Sequence, residues 1–200
     1  MPRWTAHRWI AAAVLGVALL VSGCSEEAKP LPPQQVSEPT PTATVGPGNW
    51  RVKFSKAELA AYSTAVGRWR DYGRRSEKYY RQGKATPGSL EMFEDYFYQP
   101  DVMQATLRNY EKKKIRFIGQ VQLLWTRASR IELGRTPPVL VFEECVNVAR
   151  TSISTNGRVT PSGQRDPVLR KVTMSRVGNG PWLVFGYEGP ETGDKNPCQQ

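Results

Sequence analysis

The stretch VLVFEECVNVARTSI, residues 139–153, alternates between two sets of side chains over most of its length. Successive side chains of a β-strand point to opposite faces, so the alternation predicts a long strand with one buried face. Glu143 and Glu144 are adjacent and face opposite sides, so they cannot act together on one substrate. One side holds Leu140, Phe142, Glu144, Val146 and Val148, and the other holds Val139, Val141, Glu143, Cys145 and Asn147.

An inward-facing glutamate on this strand has two roles open to it. It could pair with Arg116 or Arg170 on a neighbouring strand and act as a structural bridge. It could instead stand in a pocket with a raised pKa and act as a general base. The bridge is the expectation here.

The segments on either side of this stretch predict further strands and turns. Residues 115–133 are rich in β-branched and aromatic side chains, and prolines end this strand before residue 139. Asn156-Gly157 predicts a turn, followed by a polar loop to about Asp166. Strands at 168–177 and 182–187 flank the tight turn Gly178-Asn179-Gly180, and the remaining residues to Gln200 form a tail.

The first half of the domain has helical periodicity instead. Ser55-Lys56-Ala57-Glu58 is a capping-box pattern, and the helix that it begins should end at Gly83. A second helix is expected over 89–98, and a third restarts at Pro100–Asp101 and ends in three lysines. Helices followed by hairpin-connected strands predict an α+β domain. The apolar stripe of the first helix is Leu59, Tyr62, Val66, Trp69 and Tyr72.

Residues 1–23 have the pattern of a secretory signal, with Arg3 and Arg8 before an apolar run that is too short to span a membrane. The ending Ser22-Gly23-Cys24 resembles the lipobox of bacterial lipoproteins. This resemblance implies cleavage after Gly23 and a diacylglyceryl group on Cys24, which would hold the protein on the outer face of the cell membrane. An ordinary signal peptide with a free Cys24 thiol, or an uncleaved anchor, are the alternatives.

Residues 24–49 are rich in proline and threonine and poor in large apolar side chains. Such a segment cannot bury enough surface to offset its ordering entropy, so it predicts an extended tether. The folded domain is expected over residues 50–200.

The full chain has a net charge of +10, and removing Arg3 and Arg8 with the leader leaves +8. A positive net charge of this size keeps a protein soluble, or attracts it to anionic lipid head groups or wall polymers. Export removes the protein from nucleic acid, so no nucleic-acid partner is predicted. Lys112-Lys113-Lys114 is the densest basic run, and a position at the end of a helix accounts for it.

If Cys24 carries lipid, Cys145 and Cys198 are the remaining cysteines of an exported chain, and we expect them to form a disulfide. The alternative is two free thiols. His7 lies in the leader, so the mature chain contains no histidine. This excludes Ser-His-Asp and Cys-His nucleophile systems and histidine-based zinc sites. No phosphate-binding loop, CxxC motif or calcium loop is present, and no cofactor or metal is predicted.

Several short motifs resemble the NTF2-like cone fold of small exported actinobacterial lipoproteins. They are Pro137-Pro138-Val139, the run Glu144-Cys145-Val146-Asn147, Gly180-x-Trp182-Leu183-Val184 and Pro197-Cys198. The resemblance implies a curved, four-stranded antiparallel sheet with the long helix against its packed face. The family tends to have Asp-Cys-Val-Asp where this chain has Glu-Cys-Val-Asn.

A cone of this kind can enclose a pocket between sheet and helix, although the same side chains could simply fill the core. A second aromatic set, in the helical region, has the composition of a protein-binding patch: Tyr79, Tyr80, Tyr96, Phe97, Tyr98 and Tyr110, flanked by Arg74, Arg75, Arg81 and Arg108. The candidate pocket residues are Tyr62, Trp69, Tyr96, Phe97, Phe117, Trp125, Phe142, Glu144 and Trp182.

These patterns predict a non-catalytic, membrane-anchored lipoprotein whose NTF2-like domain binds an envelope protein or a small apolar ligand. An alternative is an isomerase- or hydratase-like enzyme that uses a carboxylate or tyrosine in the pocket. A third hypothesis is a helper of a transport or wall-assembly machine.

Overall fold

The computed structural model describes residues 44–45, 48–163, 166–189 and 198. The predicted leader, the lipidation site Cys24 and most of the predicted tether lie outside these residues. The helices are α1 (Lys56–Gln82), α2 (Pro87–Tyr96) and α3 (Pro100–Lys112), and a short 3-10 helix covers Trp50–Lys53. The strands are β1 (Thr44–Val45), β2 (Ile115–Ile118), β3 (Gln122–Glu132), β4 (Val139–Asn147), β5 (Ser152–Thr155), β6 (Arg158–Pro161), β7 (Val168–Ser175) and β8 (Leu183–Glu188).

The predicted α+β architecture is confirmed, and side-chain caps fix where two helices begin. The Ser55 backbone N–H donates to Glu58 at 2.8 Å, while the Glu58 N–H donates to Ser55 Oγ at 3.3 Å. Helix α2 begins at Pro87, earlier than predicted, because Thr86 is its N-cap and proline suits the first helical position. The predicted stripe of α1 faces the core.

Two sheets follow the helices. The large sheet has four antiparallel strands in the order β3-β4-β7-β8, and β1 pairs in parallel with β3 on its outer side. The small sheet is antiparallel, in the order β2-β5-β6. The hairpin turn at Asn156-Gly157 is confirmed, and the segment predicted as a polar loop contains β6.

The strands predicted over 115–133 and 139–153 are each broken in two. The β2–β5 pair and the β3–β4 pair continue each other as one antiparallel ribbon. Ile118 pairs with Ser152 on one side of the break, and Gln122 pairs with Asn147 on the other. At the break Gly119 has a φ of +88°, and a Cβ there would lie 2.1 Å from the Arg150 carbonyl oxygen. The segments at Gly119 and Arg150 are therefore in backbone contact where the strand pairing is interrupted. The ribbon contributes strands to both sheets.

A two-residue strand precedes Trp50 in the structure. Thr44 and Val45, placed in the tether by composition, pair through the backbone with Trp125 and Thr126. Threonine and valine are β-branched residues that suit strands, and the surrounding prolines obscure this signal.

The main core lies between the helices and the Glu144-bearing face of the large sheet, which the structure identifies as the buried one of the two faces that the alternation in β4 predicts. A smaller cluster on the opposite face contains Trp125, Cys145 and Cys198. The predicted disulfide is present, with the Cα atoms of Cys145 and Cys198 5.6 Å apart. The main core includes Tyr62, Trp69, Tyr72, Phe93, Leu107, Leu140, Phe142, Val172, Met174 and Trp182.

Replacing Gly83 by alanine is expected to destabilise the domain by more than about 1 kcal/mol, because this residue has a left-handed φ of +59° at the end of α1. A Cβ there would lie 2.1 Å from the Ile115 carbonyl oxygen of β2. Urea unfolding followed by circular dichroism measures the change. Gly73→Ala is the matched control: it lies inside α1 with open space around it, so it should stabilise by roughly 0.5–1 kcal/mol. Equal effects at both positions would contradict this account.

Candidate functional site

Glu144 is the buried acidic residue at the centre of the sheet–helix interface, and it is 2% exposed. Its Oε1 lies 2.7 Å from Nη2 of Arg170 on β7, and its Oε2 accepts a hydrogen bond of 2.8 Å from the indole N–H of Trp69. Both carboxylate oxygens are therefore engaged. Arg116, the other partner considered from the sequence, belongs to the small sheet.

Glu143 lies on the opposite face of β4, as the alternation predicts. It forms an ion pair of 2.6 Å with Arg127 on the neighbouring strand β3. The two glutamates thus have separate cationic partners on separate faces, and neither arrangement presents a carboxylate pair to a substrate.

Aromatic rings surround the Glu144–Arg170 pair. The Arg170 guanidinium lies 5.6 Å from the ring centroid of Tyr187 on β8, an arrangement that favours a cation. The Trp69 ring is 5.8 Å from Tyr187 and 5.2 Å from Tyr72. Trp69 of α1 and Tyr187 of β8 therefore hold the Glu144–Arg170 ion pair in a fixed geometry.

Tyr62 anchors the first half of α1 to the same sheet. Its hydroxyl donates to Thr126 Oγ1 at 2.8 Å, and Thr126 is paired with Glu144 across β3 and β4. Burial raises the pKa of Tyr62, partly offset by the hydrogen bond to Thr126. Arg70 donates a longer bond of 3.4 Å to the same threonine oxygen.

Tyr72 and Tyr80 form a second polar contact inside the domain, with their hydroxyl oxygens 3.0 Å apart. Burial is the main cause that raises the pKa of Tyr80 to about 12 and the pKa of Tyr72 well above its ordinary value. Both phenols are therefore neutral at physiological pH. Neither has the near-neutral pKa that suits a general acid or base.

The residues predicted to line a pocket do not all meet. Tyr62, Trp69, Phe142 and Trp182 belong to the main core, together with Tyr96 and Phe97. Trp125 lies on the other face of the sheet, where its indole N–H donates to the Cys198 carbonyl at 3.2 Å. Phe117 packs against Tyr80 of α1 and Tyr110 of α3, on the helix-facing side of the small sheet. Strand register separates these rings, and it could not be read from the sequence.

A shallow cavity of about 10 Å³ lies beside Arg170, on the other face of the large sheet from the helices. Glu143, Leu169, Lys171, Glu188 and Gly189 complete its lining. This volume has room for about one water molecule, which is far less than an organic ligand needs.

The aromatic patch predicted in the helical region is mostly internal. Tyr96 is buried, with the guanidinium of Arg68 4.5 Å and that of Arg75 5.4 Å from its ring centroid. Tyr98 is the exposed member, at 51%, and its ring lies 5.4 Å from Phe185, which is 62% exposed. The sequence prediction missed Phe185, although its place next to the inward-facing Val184 gives an alternation signal.

The exposed pair lies at the edge of the large sheet. Strand β8 is the last strand in the order, and the Tyr98 backbone N–H donates to the Val184 carbonyl at 3.0 Å. Tyr187, further along β8, is also exposed. The Tyr98–Phe185 pair thus stands at the sheet edge by itself, because Tyr187 packs against Trp69 and Arg170 on the helix-facing side.

Within the described ranges, no group of three or more histidine, cysteine, aspartate or glutamate side chains could hold a metal ion. None of the described helices is long and apolar enough to cross a membrane.

No family model matches the chain, and no curated protein matches it. Among solved structures it is similar to Bd1075 of Bdellovibrio bacteriovorus, with a TM-score of 0.38 and 12% identity over 70% of this chain. The similarity covers 44% of that protein, so the chain spans less than half of its length. A likeness this weak carries no argument about function.

Proposed function

We propose that this protein is an exported lipoprotein, held on the outer face of the cell membrane by a diacylglyceryl group on Cys24. The α+β domain acts as a non-catalytic binding module for an envelope protein. The lipobox-like ending at Ser22-Gly23-Cys24 supports the anchor. The Cys145–Cys198 disulfide supports export, because such bonds persist in oxidising compartments outside the cytoplasm.

The exposed Tyr98–Phe185 pair is the observation that carries the binding proposal. Exposed aromatic side chains are enriched at protein interfaces, where they supply large contact areas. They lie beside strand β8 at the edge of the large sheet, where the Tyr98 backbone N–H already donates to the Val184 carbonyl, so the two aromatic rings rather than a paired strand supply the contact. A protein partner is favoured over a small ligand because Tyr62, Trp69, Phe142 and Trp182 are packed in the main core, while Trp125 lies on the other face of the sheet.

An NTF2-like cone is the fold that we propose for the domain. The order of three helices followed by antiparallel strands supports it, as does the position of α1 against the Glu144-bearing face of the large sheet. The broken ribbon and the small sheet are elaborations that the motifs did not indicate.

An isomerase- or hydratase-like activity has less support. Such chemistry needs a carboxylate or phenol that can exchange a proton with a substrate. Glu144 is held by Arg170 and Trp69, and burial keeps Tyr72 and Tyr80 neutral.

One experiment in living cells tests the anchor and the binding surface together. Cells receive a labelled fatty acid and express the full chain with a photo-cross-linking amino acid in place of Phe185. We expect label in the wild-type chain and none in the Cys24→Ser chain. We also expect one discrete cross-linked protein from position 185, because that side chain is exposed beside the edge strand.

Position 52 provides the matched control, since Val52 is also exposed but lies on the 3-10 helix near the start of the domain. The same adducts from positions 185 and 52 would contradict a binding surface at β8. Label that survives in the Cys24→Ser chain would contradict the anchor.

A further inference from the structure

The fold brings basic residues from several elements to one end of the domain, which we term the basic end. Lys84 follows α1, and Arg116 is on β2. A Cβ built on Gly83 would lie 3.1 Å from Arg116 Cγ, so these two segments are in contact. The basic end consists of Lys84, Lys112, Lys113, Lys114, Arg116 and Arg158.

The hairpin of β5 and β6 closes the same end. The Asn156 N–H donates to the Lys114 carbonyl at 3.3 Å, and Thr155 pairs with Ile115 on one side and with Arg158 on the other. Residues separated by more than seventy positions along the sequence, such as Lys84 and Arg158, are thereby brought to one end.

The positive charge of the basic end is not neutralised by the described part of the chain. Every one of its side chains is exposed, and none forms an ion pair with a described residue. Some cations elsewhere have acidic partners, as Arg127 has Glu143 and Lys171 has Glu188, so what distinguishes the basic end is that six exposed cations from several elements lie together there. The nearby Glu111 accepts a hydrogen bond from the Ala85 N–H.

The C-termini of α1 and α3 both lie at this end, and lysines in the last turn interact favourably with a helix dipole. That effect falls off within one turn, so it accounts for Lys112 and Lys113. Arg116 and Arg158 lie on strands, where no helix dipole explains their position.

Exposed apolar side chains accompany these cations on the outer face of the small sheet. Phe117 defines the inner face, because it packs against Tyr80 and Tyr110 of the helices. Strand register places Arg116, Ile118 and Val159 on the opposite face. Ile118 is 43% exposed and Val159 is 54% exposed. Arg116 is the basic-end cation on this face, beside Ile118 and Val159, while Arg158 lies in the row of Ile115 and Thr155 on the other face. Apolar side chains next to Lys and Arg are typical of surfaces that rest in the head-group region of a bilayer.

We propose that the basic end and the outer face of the small sheet bind the surface of an anionic phospholipid bilayer. The cations contact lipid phosphates, and Ile118 and Val159 enter the boundary between head groups and acyl chains. A soluble polyanion would leave these apolar side chains in water, so a bilayer is the better match. The inference rests on the proposed membrane anchor, which would hold the domain near such a surface.

The test uses the full 200-residue chain with Cys24→Ser in every sample, so that acylation and leader are identical throughout. Co-sedimentation measures partitioning onto vesicles of phosphatidylcholine, with or without 30 mol% phosphatidylglycerol. We expect clear preference for the anionic vesicles at low salt. A triple variant, Lys84→Gln, Lys112→Gln and Arg158→Gln, should bind them about a hundredfold more weakly, at roughly fivefold for each lost cation.

The matched control removes the same charge at the opposite end of α1, about 40 Å away along a helix of this length. It carries Arg51→Gln, Lys53→Gln and Lys56→Gln, and it should keep most of the binding. A separate Val159→Ser variant should bind more weakly at every salt concentration, because the apolar contribution is not screened. Thermal unfolding should match wild type in all variants, since the replaced side chains are exposed.

Three outcomes would overturn the proposal. They are equal loss in the two triple variants, no preference for anionic vesicles, or equal binding by Val159→Ser and wild type. None of them bears on the proposed anchor, because Cys24 is absent from the assay and fatty-acid labelling reports on it separately.

Discussion

Replacing Glu144 by alanine is expected to lower the free energy of unfolding by about 3–5 kcal/mol, the usual loss when one partner of a buried ion pair is removed. The change leaves the Arg170 guanidinium without its carboxylate and the Trp69 indole N–H without an acceptor. A buried donor that loses its partner carries the full penalty of its desolvation. Urea unfolding at neutral pH, followed by circular dichroism with the disulfide intact, measures the loss.

Glu143→Ala is the matched control, because the same residue type is removed one position earlier on the same strand. The Glu143 side chain is 16% exposed, against 3% for that of Glu144, so its ion pair with Arg127 is better screened by water and the expected loss is about 1 kcal/mol or less. The double variant Glu144→Leu with Arg170→Met should recover much of the stability, since no unpaired charge remains. Similar losses for Glu143→Ala and Glu144→Ala would show that Glu144 is not a structural bridge.

Loss of the Cys145–Cys198 disulfide is expected to destabilise the domain by about 4 kcal/mol, because the bond spans 53 residues and restricts the unfolded chain. The Cys198→Ser variant tests this. Its urea midpoint should fall, and the environment of Trp125 should change, because this indole donates to the Cys198 carbonyl and packs against both cysteines. Tryptophan fluorescence follows the second effect.

Reductant provides the control for this measurement. It should shift the midpoint of the wild-type chain to that of Cys198→Ser and leave the variant unchanged. A wild-type midpoint that is insensitive to complete reduction, verified by alkylation and mass spectrometry, would contradict a stabilising role for the bond.

Local sequence patterns were sufficient to predict the elements that depend on neighbouring residues. The capping box at Ser55 and the stripe from Leu59 to Tyr72 define α1, because both arise within a few residues of one helix. The alternation around Glu144 correctly separates the two faces of β4. These features follow from periodicity and from a capping motif within a few residues.

Features that depend on the register between strands could not be derived in the same way. The sequence allowed Arg116 or Arg170 as the partner of Glu144, and the pairing of β4 with β7 selects Arg170. The close contact between Gly119 and Arg150 breaks the ribbon, and it forms between residues distant in sequence. The candidate pocket residues were grouped as aromatic side chains, and the fold divides them between two faces and two sheets.

The chain segments at the two ends of the domain meet in one row of the large sheet. Thr44 pairs with Trp125, Trp125 with Cys145, and Cys145 with Leu169. A pulling force that enters through the segment before β1 therefore reaches first the row that the disulfide ties to Cys198. Strand β8 and the surface beside Phe185 are not part of this row, so we expect tension on the N-terminal segment to act first on the row that the disulfide joins.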